Sequence, residues 1–485
     1  RARSVPSVDK TRNEDERMRG GTRGAGLAAL LLGVGLAAEA GAMSLEEAFA
    51  TAYETNPELI EARAGLRATD ESVAQARAGL RPQVSVNTDY GANWTNDAIG
   101  ESRRDPFNLS LDATQPLYDG GRTQNDVRAS VADVSAERAR LNALEQQILF
   151  DVVSAYMDIQ RDQENVSLAQ NNVRVIAEQL RASEDRFEVG EVTRTDVSQA
   201  RARLAEAQAN LASARGALEN SRDAFTEVVG AEPINLAPPG AIPPLPGSLD
   251  EALTDALENH PLILAARFDE TAAEYQSRSE IGGLLPQVSL DGSVGYSDQG
   301  ILTDGGRTQL GGGDQTSATA RLRVEVPLYQ GGAQYSRIRQ AQALASQARA
   351  GITTEARDRR RLVEDAWTQL QVARANIRSV REQVEAQRLA FEGVREEAIV
   401  GSRTTLDVLD AEQELLQARV RLIESIRDEY VAAYGLLATV GRLTMADLGV
   451  ETVAYDPNEN YDRNNDRFFG FERDEDTEWE RIWRP

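Results

Sequence analysis

The strongest constraint on this chain is that it contains the same pattern twice. SLEEA at Ser44 recurs as SLDEA at Ser248, Asn56-Pro57 as His260-Pro261, and PQVS at Pro82 as PQVS at Pro286, all offset by 204. PLYDGG at Pro116 recurs as PLYQGG at Pro327, and Val189-Gly190 as Val400-Gly401, both offset by 211. The step from 204 to 211 is a seven-residue insertion between two strand-like segments, so it falls in a hairpin loop, where insertions are best tolerated. A duplicated architecture replaces the several-domain prior that 485 residues would otherwise suggest.

Each copy changes period along its length. It opens with a helical stretch broken at Asn56-Pro57 or His260-Pro261, a cap residue followed by Pro at the first helical position. His260 is the sole histidine and its repeat partner is Asn, which favours a capping role over metal binding or catalysis. Period-two alternation follows: Val84, Val86, Thr88, Tyr90, Ala92 and Trp94, then Phe107, Leu109, Leu111 and Ala113. In the second copy the alternating residues are Val288, Leu290, Gly292, Val294 and Tyr296, then Ala318, Ala320, Leu322, Val324 and Val326. These spacings predict strands over about 83–95, 106–116, 287–297 and 317–327, of the length that crosses a bilayer when tilted. Four strands cannot close a membrane barrel, since bacterial barrels have about eight or more, so several chains would have to share one. A small soluble sheet is equally compatible with the strands alone.

Long helical runs come next, over about 122–189 and 195–230 in the first copy and about 333–400 and 405–440 in the second. At 1.5 Å per residue, roughly 67 residues reach about 100 Å, far more than a globular core needs. Ala366, Leu370, Ala373, Ile377, Val380, Val384, Gln387, Phe391, Val394 and Ala398 step by four and three, a heptad seam that the return helix repeats with Leu406, Leu409, Gln413, Leu416, Val420, Ile423, Arg427, Tyr430, Tyr434 and Leu437. Gly190 and Gly401 end the outbound helices, and an Asp opens each return helix, so each copy carries an antiparallel coiled-coil hairpin.

Composition narrows the function. The formal charge of -25, with basic residues scattered among acidic ones, excludes a nucleic-acid footprint. With no Cys there are no disulfides, thiolate metal sites or lipid anchor on an N-terminal Cys. One His, no nucleophile elbow and no phosphate loop argue against an enzyme, and no cofactor or metal is expected. Gly311-Gly312-Gly313-Asp314 resembles a fragment of a calcium repeat but is unrepeated and reads as a flexible loop.

Residues 1–17 read as an upstream or non-native extension, and residues 18–42 as a signal peptide: Arg19 and Arg23, an apolar run over 25–38, then Ala40-Gly41-Ala42. That run is shorter than the roughly 20 residues of a membrane-spanning helix. The structural repeats are assigned to 43–240 and 241–449, joined by a Pro-rich linker over 231–248. Residues 450–485 form an acidic tail, expected to be mostly disordered.

The ordered set of SL(E/D)EA, PQVS, PLY(D/Q)GG and the paired turns VGEVTRTDV and VGSRTTLDVLD, found twice across residues 44–449, resembles the TolC family of outer-membrane channel proteins. The resemblance implies a homotrimer whose chains share a twelve-stranded β-barrel in the outer membrane, continuous with a twelve-helix periplasmic α-barrel. It also implies a non-enzymatic exit duct for efflux or type I secretion, working with a periplasmic adaptor (membrane fusion) protein and an inner-membrane RND or ABC transporter. It assigns Asp407 and Asp410 to a ring at the periplasmic aperture, and has Arg403 bond Asp196 as a gate beside the turn glycines Gly190 and Gly401. Where the family's best-known member has a latch Tyr, this chain has Ala398. Three copies of Asp407 and Asp410 would draw cations and raise some carboxylate pKa values by like-charge repulsion. An Asp in the first turn of a helix is also common simply because it caps. The alternative to a duct is a periplasmic coiled-coil structural or adaptor protein without a pore.

Overall fold

The computed structural model describes residues 42–97, 100–298, 302–304, 307–309, 314–450, 452 and 455–470. The extension and signal-peptide assignments lie outside the described residues, apart from Ala42.

Nine helices and eight strands are found among the described residues. The first copy gives α1 (Leu45–Thr55), α2 (Pro57–Ala78), β1 (Gln83–Tyr90), β2 (Asn93–Asp97), β3 (Gly100–Arg104), β4 (Phe107–Tyr118), α3 (Arg122–Glu188) and α4 (Arg194–Val229). The second gives α5 (Leu249–Asn259), α6 (Pro261–Gly282), β5 (Gln287–Asp298), β6 (Leu302–Asp304), β7 (Arg307–Gln309), β8 (Gln315–Glu325), α7 (Ala333–Ile399) and α8 (Thr405–Val440). A short α9 (Glu459–Asn464) lies in the tail.

The Asn-Pro and His-Pro breaks do more than start helices. Asn56 Oδ1 accepts the Glu58 and Leu59 amides at 2.9 and 3.4 Å, capping α2, while its Nδ2 donates to Val228 O at 2.9 Å at the end of α4. Thr55 Oγ1 adds a bond to Val229 O at 2.8 Å. The end of α4 and the start of α2 thus abut, with Thr55 and Asn56 satisfying carbonyls that the end of α4 leaves open. In the second copy Gly441, at the end of α8, is so close to His260 that a Cβ there would lie 3.2 Å from the His260 Cα. His260 Nδ1 accepts the Leu262 amide at 3.2 Å, the same cap as Asn56. Burial and the Arg359 charge depress its pKa to about 4, so the ring is neutral and free to cap. Each copy therefore pairs one 67-residue helix with a rod made of two helices set end to end.

The heptad seam of α7 is borne out: Ala366, Leu370, Ala373 and Ile377 are buried and the later members are half-buried. On α8, Val408, Leu415 and Ala418 are buried although the seam omits them. They are covered because α8 packs on α3 as well as α7. The main core lies midway along α3, where Leu149, Val152, Val153, Tyr156 and Ile159 meet α1, the ends of α4 and α8, and Leu443.

The strands form two four-stranded antiparallel sheets, ordered β1-β4-β5-β8 and β2-β3-β6-β7. The long strand expected over 83–95 is split at Gly91, whose amide bonds Pro106 O at 3.0 Å, because Pro106 interrupts the opposing strand. In the β1-β4-β5-β8 sheet the register places Val84, Val86, Leu109, Leu111, Leu290, Val294, Leu322 and Val324 on one face. That face is open, with Val84 and Val86 each 66% exposed. The opposite face carries a polar lattice. Asn87 Nδ2 and Ser110 Oγ donate to Asp112 at 2.9 and 2.7 Å, Thr114 Oγ1 donates to Asp291 at 3.1 Å, and Arg323 pairs with Asp291 at 3.3 Å.

The tail departs from the expected disorder over residues 455–470. Its Tyr455, Asn460, Tyr461, Asn465 and Asp466 meet Arg63, Asp70 and Arg77 of α2 and Arg138 of α3. Basic side chains lined up on α2 offset the acidic composition that argued against order. Residues 471–485 lie outside the described residues.

Candidate aperture at the helical-hairpin turns

Both turns are built alike. Gly190 and Gly401 take φ of +81° and +80°, the left-handed conformation that ends a helix and that a Cβ would strain. The Glu191 amide bonds Arg186 O, and the Ser402 amide bonds Glu397 O, each at 2.9 Å, closing the last turn. Thr193 and Thr404 then start α4 and α8 with capping boxes. Asp196 Oδ2 accepts from Thr193 N and Oγ1 at 2.8 Å each, and Asp407 Oδ2 accepts from Thr404 N and Oγ1 at 2.9 Å each. These bonds, led by the backbone amide, hold both carboxyls below the usual carboxylate range, with Arg403 adding to the effect at Asp407. Within the chain, the local bonding of Asp407 acts opposite to the expected upward shift by repulsion.

The bond expected between Arg403 and Asp196 is not made within the chain. Arg403 Nε donates to Glu397 Oε2 at 2.9 Å, across its own turn, while Asp196 is occupied by Thr193. The tie between the two hairpins lies one turn further in. Arg203 of α4 donates to Asp410 Oδ1 of α8 at 2.8 Å. Beside it Leu409, only 2% exposed, is inserted among Ile176 and Leu180 of α3 and Val197, Ala200 and Leu204 of α4. Sequence reasoning missed Arg203, since nothing in the α4 pattern marks a partner 207 residues away. Leu409 was legible only as a seam residue.

Asp407 and Asp410 share one side of the first turns of α8, the first held by its cap and the second by Arg203. Behind them a cleft of about 510 Å³ separates α3, α7 and α8. Glu412 lines it with Glu178 and Asn172 of α3, Arg388, Glu392 and Arg395 of α7, and Arg419 of its own helix. Burial drives the Glu412 pKa up to about 7, against the pull of Arg395 and Arg419.

Among the described residues no group of three or more His, Cys, Asp or Glu could hold a metal ion, and no helix is long and apolar enough to cross a membrane.

The family model described as "Outer membrane efflux protein" matches residues 49–231 and 252–442. Outer membrane efflux protein BepC of Brucella suis biovar 1 (strain 1330) is 36% identical over 446 residues, covering 91% of this chain and 95% of the relative. Outer membrane protein TolC of Vibrio cholerae serotype O1 is 26% identical over 413 residues, covering 84% and 92%. Among solved structures, the outer membrane protein VceC of Vibrio cholerae superposes with a TM-score of 0.69 at 21% identity, over 82% of this chain and 96% of that one.

Proposed function

The chain belongs to the outer membrane efflux protein family, and on that premise we propose that it is the outer-membrane exit duct of a tripartite efflux or type I secretion system. In this reading three copies share one barrel. A periplasmic adaptor and an inner-membrane RND or ABC transporter deliver substrate to the turns at the far end of the hairpins.

The observation that carries the proposal is the β1-β4-β5-β8 sheet. One of its faces is apolar and open, the other a polar lattice, and its outer strands β1 and β8 each have a partner on one side only. In lipid an unpaired strand edge leaves N–H and C=O groups with no water to bind, so β1 of one copy must pair with β8 of the next. Three copies give twelve strands, with the apolar face against lipid and the Asp112–Asp291–Arg323 lattice lining the lumen. A pore-less periplasmic adaptor would leave Val84, Val86, Leu322 and Val324 in water.

At the mouth, six carboxylates from Asp407 and Asp410 surround the axis and favour cations. Arg203 neutralises Asp410 while the hairpins lie together, and the Leu409 knob holds α8 against α3 and α4. Opening requires α8 to swing from α4, which breaks the pair and unmasks Asp410. Arg403 and Glu397 shape the turn, with Gly190 and Gly401 setting its direction. Native mass spectrometry in detergent tests the assembly: the proposal requires a trimer, and a stable monomer would end it.

A further inference from the structure

The tail does not simply cover α2; it climbs it. Tyr455 starts beside Tyr53 and Arg63, whose guanidinium lies 4.5 and 5.1 Å from the two ring centroids. Further along, Asn460 Nδ2 donates to Asp70 Oδ2 at 2.9 Å, and Arg138 lies over Tyr461 at 5.1 Å. Arg77 Nη1 donates to Asn465 Oδ1 at 3.0 Å and also reaches Asp466. Finally Arg81 Nη1 donates to Arg467 O at 2.8 Å, and its guanidinium sits 4.1 Å from the centroid of the Phe468 ring. The tail runs parallel to α2, and from Arg63 to Arg77 it ascends about 21 Å at 1.5 Å per residue, then continues past the end of the helix to Arg81.

Arg81 lies two residues before β1 begins at Gln83, so the climb ends at the helix-proximal rim of the sheet. There Phe468 is 65% exposed and Phe469 is 89% exposed. The same rim carries two other exposed aromatic residues, Tyr118 at the end of β4 and Tyr329 just after β8. Both are the tyrosines of the duplicated PLY motif. Aromatic side chains at the rim of an apolar sheet face are the composition of a membrane-interface girdle, where a ring sits partly in lipid and partly in water. Two adjacent Phe left in water lose the burial that would offset their ordering. Polar and charged contacts fix the tail below them, up to Arg467.

We propose that the tail is a membrane-interface anchor: it delivers Phe468 and Phe469 to the periplasm-facing surface of the lipid bilayer, completing the aromatic girdle begun by Tyr118 and Tyr329. The occupant is lipid because Phe468 is held on Arg81, three residues before the apolar sheet face begins at Val84. This rests on the outer-membrane reading above. It adds to that reading a role for a segment outside the two repeats: the anchor sets the height of the helical tunnel against the bilayer and resists tilting at the junction.

The absence of cysteine permits the test, because each introduced Cys carries the only label. Phe469→Cys, Val86→Cys and Glu459→Cys are spin-labelled in the full chain and reconstituted in phosphatidylethanolamine–phosphatidylglycerol vesicles. Collision with oxygen, which concentrates in lipid, is compared with collision with a water-soluble nickel chelate. The label at 469 is expected to favour oxygen over nickel several-fold more than the label at 459, approaching the label at 86. If 86 reports lipid while 469 matches 459, the anchor is overturned and the duct stands. If 469 is shielded from both agents, protein covers it and the anchor is again overturned. If 86 itself reports water, the outer-membrane reading fails first.

Discussion

Glu412→Gln isolates the buried carboxyl behind the mouth. Glu412 has its pKa raised from 4.5 to about 7, with burial between α3 and α7 as the largest cause. A carboxyl that binds its proton more tightly folded than unfolded favours the folded state at low pH. The advantage shrinks as pH rises from about 4.5, and above about 7 the ionised form is held at a constant cost. At ~1.4 kcal/mol per unit the full shift is worth roughly 3 kcal/mol per protomer. The cleft is open to water on one side, which reduces the expected effect to about 1–2 kcal/mol. Gln keeps the shape and removes the charge, so the variant should differ least from the parent near pH 5 and resist heat or denaturant increasingly better toward pH 8. Paired melts across pH 5–9 in one detergent measure this. A difference that does not change with pH, or a variant less stable at pH 8, would refute the assignment of burial as the dominant cause. Arg388, Glu392 and Arg395 from α7, Glu178 from α3 and Arg419 from α8 face the same cleft. Arg395→Gln should therefore push the transition to higher pH.

Leu409→Ala removes the knob at the centre of the Ile176–Leu180–Ala200 cluster, and a cost of about 2–4 kcal/mol is expected locally. Hydrogen exchange should rise in the first turns of α8 while the core around Tyr156 stays protected. Arg203→Ala should raise single-channel conductance by freeing Asp410, whereas Arg403→Ala, whose partner Glu397 is in the same turn, should change it less. The reverse order would return the gate to Arg403.

The fold was legible wherever a period was written into adjacent residues. The alternating Val84–Val86–Thr88–Tyr90 and Ala318–Ala320–Leu322–Val324 became strands, and the four-three steps from Ala366 to Ala398 became a covered seam. Contacts between segments far apart in sequence were not legible. The pair Arg203–Asp410, and the burial of Val408 and Leu415 by α3, come from how two repeats lie side by side. Composition misjudged the tail because its order depends on Arg63 and Arg77 of α2 and Arg81 just after it, nearly 400 residues earlier. At the mouth, the turn glycines and capping Asp residues stood out by duplication. Only geometry separated the capping role of Asp407 from the cross-hairpin role of Asp410.

The central claim is a cation-favouring duct whose mouth is lined by Asp407 and Asp410, and planar-bilayer recording across a salt gradient tests it most directly. The purified protein should form small, discrete channels whose reversal potential shows cation selectivity, and Asp407→Asn with Asp410→Asn should move that potential toward zero with the channels intact. Absence of channels, or a reversal potential unchanged by the double substitution, would contradict the account.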